Sequence, residues 1–209
     1  MIDKTSQDSP WWFRKVKTGV ITNYIKLIVY SYNEIKNHKF SKTPIEDTRR
    51  NLLVESMSKN KSMFGIIFNI STENGTYDKE TYKDTGRIDI CCYISELQDK
   101  YIAFECKRFI KNNMTASHFK DQYLNEGMKR FFDNIYSENM DIGGMIAFAE
   151  TGDFTKLDRL LSLNLNNIAL DGSFKDISSK YEHNKVFETK HKRINGNIIT
   201  LSHIIMDFT

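Results

Sequence analysis

The stretch that most constrains this chain is Thr85 to Phe109, TGRIDICCYISELQDKYIAFECKRF. Two apolar runs of strand length flank the polar run Glu96 to Lys100, the pattern of two short strands joined by a turn. Charge interrupts both runs. Asp89 stands between Ile88 and Ile90, and Glu105 and Lys107 stand on either side of Cys106. On a strand, residues 105 and 107 share a face and Cys106 points the other way. A buried carboxylate without a partner is costly, so acids in such a setting need a lysine or a metal ion. The plain structural alternative is a surface Glu–Lys pair with an outward Asp on an exposed strand.

Around this hairpin the chain alternates helix and strand signals. Trp12, Val16, Val20, Tyr24, Leu27, Ile28 and Ser31 recur at threes and fours, which predicts a helix from Trp11 to about Lys36. Thr43-Pro44 suits a helix start, with Glu46 and Asp47 in the first turn, and the helix runs to about Ser58. The apolar run Met63 to Ile70 predicts a strand, and Asn74-Gly75 a turn in the polar stretch that follows. Ala116 to Ser137 reads as a helix broken by Asp141 to Gly144. Met145 to Ala149 reads as a buried strand, and Phe154 to Leu165 as a helix. Val186 to Arg193 and Asn197 to Phe208 predict a final hairpin about Asn195-Gly196. A helix between the third and fourth strands implies a crossover onto a mixed sheet, hence an α/β fold with helices covering a mixed central sheet.

At 209 residues the chain suits a single domain. It divides into an N-terminal helical extension (1–42), a core (43–150) and a C-terminal helix and hairpin (151–209). With 30 basic and 27 acidic residues the net charge is only +3, so a nucleic-acid surface must be local. Cys91, Cys92 and Cys106 lack the spacing of a zinc site. An odd number of thiols on strands expected in the core fits a reducing cytoplasm. No signal-peptide pattern opens the chain, and no apolar run approaches the roughly 18 residues of a membrane span. The expectation is a cytoplasmic protein without membrane contact.

Two carboxylates and a lysine are what phosphodiester hydrolysis asks for. Mg²⁺ takes oxygen ligands and keeps several waters, so two protein carboxylates suffice to hold it. A lysine nearby orients or helps deprotonate the attacking water. Asp89, Glu105 and Lys107 match this need, and the backbone carbonyl of Cys106 stands at the edge of the same site.

Gly86-Arg87-Ile88-Asp89-Ile90 followed by Phe104-Glu105-Cys106-Lys107 resembles the split PD-(D/E)xK signature of restriction-endonuclease-like nucleases. Ile88 replaces the proline of the nominal motif. The order of elements from about Pro44 to Ala149 is similar to the αβββαβ core of that superfamily. The N-terminal helix and the C-terminal β-hairpin are then additions. The segments Gln122-Tyr123, Glu126-Gly127-Met128, Arg130-Phe131 and Gly143-Gly144-Met145 are similar to stretches of bacterial restriction or phage-defence members. So is the ending His191-Lys192-Arg193, His203, Asp207-Phe208.

The resemblance implies an Mg²⁺-dependent endonuclease acting on DNA, in restriction, phage defence or repair, with Mn²⁺ as a substitute ion. Asp89, Glu105 and the Cys106 carbonyl would hold metal and Lys107 would serve the water. Glu46 is the expected acid of the upstream helix. Glu55, nine positions later and about 180° around the helix, is the competitor. Arg130, Tyr123 and Gln122 on the helix after the lysine, Arg87 and Arg108 beside the hairpin, and His191, Lys192 and Arg193 near the last turn are candidate nucleic-acid contacts. A solvated surface is the alternative for each; His203 is expected to be a packed histidine. RNA as substrate, a homodimer or partner subunit of a defence system, and a non-catalytic binding module on the same fold stay open.

Overall fold

Strands covered on both faces carry apolar runs, and the buried runs Ile102–Phe104 and Met145–Ala149 belong to two neighbouring strands in the middle of this protein. The computed structural model describes residues 11–38, 45–77, 84–94, 100–138, 140–150, 152–182 and 184–209. Its strands are β1 (Ile70–Tyr77), β2 (Asp84–Tyr93), β3 (Tyr101–Phe109), β4 (Ile142–Ala149), β5 (Lys175–Asp176), β6 (Lys185–Lys192) and β7 (Ile198–Asp207). They form one mixed sheet in the order β1-β2-β3-β4-β7-β6-β5. The pairs β3–β4 and β4–β7 are parallel, and the other neighbours are antiparallel.

Helices cover both faces. On one side lie α1 (Trp11–Ile35) and α2 (Glu46–Asn60), whose Leu27, Ile28, Leu53 and Met57 pack on Ile90, Phe104, Ile146 and Ile204. The other side carries α3 (116–132) and α4 (Phe154–Ile168). Leu157, Leu161 and Leu165 recur every four residues on α4 and are fully buried, each worth about 2 kcal/mol. Asp153 caps that helix by accepting from the Lys156 N–H at 3.3 Å. The fold is therefore α/β, as expected.

Four expectations change. The apolar run from Met63 is not a strand: Lys61–Phe64 forms a 3₁₀ turn closed by Gly65 at φ 67°. Met63 and Ile67 stay 66% and 75% exposed. The first strand is instead the polar segment Ile70–Tyr77, and Asn74-Gly75 is no turn but pairs with Ile88 and Arg87. As an edge strand β1 needs its backbone bonds to β2, not an apolar face, so its composition carries little strand signal.

Gly143 and Gly144 do not break the chain but begin β4. A Cβ on Gly143 would come 2.5 Å from the Phe131 ring, and one on Gly144 2.3 Å from the Phe104 ring. Two phenyl rings, one from each side of the sheet, fill the space their side chains would need.

The third change is in the helix after β3. It runs as Ala116–His118 in α form, Phe119–Met128 in π form and Lys129–Phe132 in α form, together α3. It ends earlier than Ser137. Fourth, neither terminal part is an appendage. β7 lies beside β4 near the middle of the sheet. α1 is bolted on by the Tyr24 hydroxyl donating to the Tyr93 carbonyl at 2.5 Å and the Tyr32 hydroxyl donating to the Asp207 carbonyl at 2.7 Å. The proposed cap at Thr43-Pro44, most of the turn at Glu96–Lys100 and the side chains of Trp11 and Trp12 fall outside the described residues.

Candidate active site

β2 and β3 pair from Tyr93↔Tyr101 to Ile90↔Phe104, and there the ladder ends. The next backbone N–H of β3 on that side belongs to Cys106, and the Asp89 side chain takes the place of the departed strand. Its Oδ2 accepts from the Cys106 N–H at 2.7 Å. A strand residue offers its N–H and C=O to the same neighbour, so the Cys106 carbonyl faces the same gap. Beyond the gap β3 continues, held by β4 through Phe109↔Ala149. The parting of two strands thus opens a polar site without unravelling the sheet.

The gap is a cavity of about 310 Å³ lined by Glu46, Asp47, Arg50, Arg87, Asp89, Glu105, Lys107 and Arg130. Four elements supply it: the start of α2, the middle of β2, the end of β3 and the last turns of α3. Glu105 is 1% exposed. Its Oε1 meets Lys107 Nζ at 3.0 Å and Arg130 Nη1 at 3.1 Å, and the same arginine nitrogen is 3.3 Å from Oε2. Burial, and then the Asp89 charge, push the Glu105 carboxyl up to about 7 against the pull of these cations. Lys107 keeps its proton: burial works against the charge, but Glu105 outweighs it and raises the pKa. Glu46 is also raised, chiefly by burial, while Lys107 and the Arg108 N–H oppose the shift.

Arg50, unremarked in the sequence, is a main structural part of this site. Its side chain is 5% exposed, and its Nη1 pairs with Asp89 Oδ1 at 3.0 Å and Asp47 Oδ1 at 3.2 Å. Tyr136 was missed as well. Its buried hydroxyl donates to the Arg87 carbonyl and meets Arg130 Nη1 at 2.5 Å. Neither stands near a motif; only spatial convergence on Asp89 and Glu105 marks them out.

The sequence candidates divide cleanly. Glu46, Asp89, Glu105, Lys107, Arg87 and Arg130 are brought together in the cavity. Glu55 is not: it lies on the exposed side of α2 and pairs with Lys59 at 2.9 Å. Arg108 lies on the opposite face of β3 from Lys107 and bonds Glu150 at 2.5 Å, with Arg49 as the second partner of that acid at 3.3 Å. Gln122 bonds Glu126 and does not line the cavity.

Tyr123, His191 and Arg193 are corrections: all three are buried and serve the interior. Tyr123 shares the buried face of α3 with Gly127, but its hydroxyl goes to His203 Nδ1 at 3.0 Å. His191 packs on Phe132 and bonds Thr189, and burial lowers its pKa to about 4. Arg193 donates to Asn134 Oδ1 at 2.7 Å and to the carbonyls of Tyr136 and Ser137 at 3.2 and 3.1 Å. Lys192 alone of that basic triplet is exposed, away from the cavity lining.

The oxygen donors fit a hard divalent cation in kind: two carboxylates, Asp89 and Glu105, and one backbone carbonyl. Among the described residues no three His, Cys, Asp or Glu side chains converge on one point. A cation here would therefore rest on two carboxylates, the Cys106 carbonyl and water. It would also have to displace nitrogen donors, because every oxygen of Asp89 and Glu105 now accepts from an arginine, a lysine or an N–H.

Compared with family models, curated proteins and solved structures, the chain has no match. Among the described residues no helix is long and apolar enough to cross a membrane.

Proposed function

We propose that this protein is a metal-dependent endonuclease with a restriction-endonuclease-like αβββαβ core, hydrolysing phosphodiester bonds in DNA. Restriction, phage defence or repair is the setting its motif suggests. One observation carries the reading. Where β2 leaves β3, Asp89, Glu105 and Lys107 meet in a single cavity with Glu46 arriving from a separate helix. A surface ion pair needs no such convergence, and four acids with four cations around about 310 Å³ make poor packing material.

When bound to Asp89, Glu105 and the Cys106 carbonyl, Mg²⁺ or Mn²⁺ supplies charge relief at the phosphate and a more acidic water. The protein's own groups do the rest. Lys107 holds its proton, so it donates to the attacking water or a phosphate oxygen rather than accepting. The water's proton then needs a carboxylate, and Glu46, lining the cavity with its pKa raised chiefly by burial, is suited to take it. Arg87 and Arg130 at the cavity wall suit the phosphates on either side of the cut.

The occupied carboxylates favour a second reading, a non-catalytic platform in which Arg50 and Arg130 neutralise the acids permanently. Plasmid DNA and RNA incubated with Mg²⁺, Mn²⁺ or EDTA, beside Asp89→Ala and Lys107→Ala, separate the two. Metal-dependent cutting lost in both variants supports the enzyme, and the preferred polymer settles the substrate. Cutting that survives in both variants removes the assigned site, and nucleic-acid binding without cutting favours the platform.

A further inference from the structure

Two arginines guard the two carboxylates, and they are not alike. Arg50 is 5% exposed and shared between Asp89 and Asp47, so drawing it away would take a buried cation from two carboxylates. Arg130 is 31% exposed and reaches Glu105 with Nη1 alone, a three-centre contact rather than the paired fork of a strong arginine–carboxylate bond. The same Nη1 also meets two neutral groups, the Tyr136 hydroxyl and, at 3.5 Å, the Arg87 carbonyl. Tyr136 is itself fixed, because Arg193 staples the loop 134–138 through Asn134 and the Tyr136 and Ser137 carbonyls. A single nitrogen of Arg130 thus divides its contacts between Glu105 and a fixed neutral partner, on a side chain partly open to solvent.

Resting on the nuclease reading above, we propose that Arg130 is an exchangeable latch, bound to Glu105 in the resting site and drawn onto a substrate phosphate, so that nucleic acid and the divalent cation each promote the other's binding. The physics is competition for one carboxylate. A cation entering at Glu105 meets the Arg130 charge at contact distance and must displace it. A phosphodiester offers the guanidinium an anion that matches its fork better than the present single-nitrogen contact. Once the arginine has moved, Glu105 is left with Lys107, and the vacated carboxylate attracts the ion. Linkage makes the effect reciprocal: whatever factor nucleic acid adds to metal affinity, metal adds to nucleic-acid affinity. The device keeps a hydrolytic ion out of the site until a phosphate backbone is in place. Arg50, sealed and doubly paired, stays on Asp89 throughout.

Electron paramagnetic resonance of free Mn²⁺ reads the binding directly, without turnover, with a short phosphorothioate DNA duplex as the phosphate probe. In the unmodified protein the duplex should raise Mn²⁺ affinity about tenfold. Arg130→Gln should bind Mn²⁺ about tenfold more tightly without DNA, and the duplex should add nothing further. Arg130→Lys, which keeps the charge, should retain the duplex effect. If Arg130→Gln binds Mn²⁺ no more tightly than the unmodified protein, or keeps the full duplex effect, the latch is refuted. The nuclease reading then stands, provided Asp89→Asn still abolishes Mn²⁺ binding. If Mn²⁺ binding is absent, or indifferent to both Asp89→Asn and Glu105→Gln, the nuclease reading falls and the latch with it.

Discussion

Two of the polar clusters set into this sheet have opposite character. One is the cavity at the end of the β2–β3 ladder, charged and open. The other runs from Tyr123 on α3 through His203 on β7 to Thr189 and His191 on β6, neutral and sealed. In the second, each proton has one place to go. The other ring nitrogen of His191 meets the backbone of Ile168, so its Nε2 accepts from the Thr189 hydroxyl at 2.8 Å. Thr189 then accepts from His203 Nε2 at 2.7 Å, and His203 Nδ1 accepts from Tyr123. Every donor has an acceptor with both histidines uncharged, which is why burial holds both well below their ordinary pKa. The cavity solves the same problem with opposed charges and leaves a door to water. Residue type does not separate a scaffold cluster from a reactive one; exposure and the balance of protons do.

The largest test of that contrast is a pair of substitutions. Lys107→Ala should cut metal-dependent cleavage by about a hundredfold or more while the fold survives by circular dichroism. His203→Leu should do the reverse, lowering unfolding free energy by about 2–3 kcal/mol because the Tyr123 and Thr189 hydroxyls lose their partner. Cleavage per folded molecule should be unchanged. If His203→Leu abolishes cleavage in folded protein, the sealed cluster is part of the site.

Next in size is packing beside the site. Gly144→Ala places a Cβ against the Phe104 ring and within 3.2 Å of the Ser202 carbonyl, a backbone atom that cannot step aside. A loss of about 3 kcal/mol in chemical denaturation is expected. A neutral result would mean that β4 and Phe104 are not packed as described.

The two clusters also bend the stability–pH curve in opposite senses. Glu105, raised from 4.5 to about 7, binds more proton folded than unfolded in that window. Its contribution is present below 4.5 and is lost as pH rises through about 7. His191, lowered from 6.5 to about 4, behaves oppositely: its contribution is present above 6.5 and is lost as pH falls toward 4. Denaturation of Glu105→Gln from pH 4 to 8 should therefore show a steeper acid loss than the unmodified protein, and His191→Leu a shallower one. Identical slopes in all three would remove both assignments. The smallest effect separates the two helix acids: Glu46→Ala should slow cleavage, whereas Glu55→Ala should leave it unchanged.

The hairpin was legible because charge inside an apolar strand is rare enough to mean something, and Asp89, Glu105 and Lys107 do meet. Helix geometry showed that Glu46 and Glu55 could not both face the site; only the fold decides for Glu46. The edge strand was not legible, since β1 is stabilised by backbone pairing that leaves no apolar trace, while the run Met63–Ile67 buries Ile66 from a turn and leaves Met63 and Ile67 exposed. Gly143-Gly144 looked like a break because the Phe104 and Phe131 rings that fill their places come from 40 and 12 residues upstream. Arg50 and Tyr136 were invisible for a similar reason. His191 and Arg193 read as basic surface, but one is neutral and the other is spent on backbone carbonyls.

The central claim is most directly tested by Mg²⁺-dependent cleavage of plasmid DNA by the unmodified protein and by Lys107→Ala, compared at equal folded concentration. The account predicts cutting by the first, its loss with EDTA, and a drop of about a hundredfold or more in the second. Equal rates in the two proteins would contradict it.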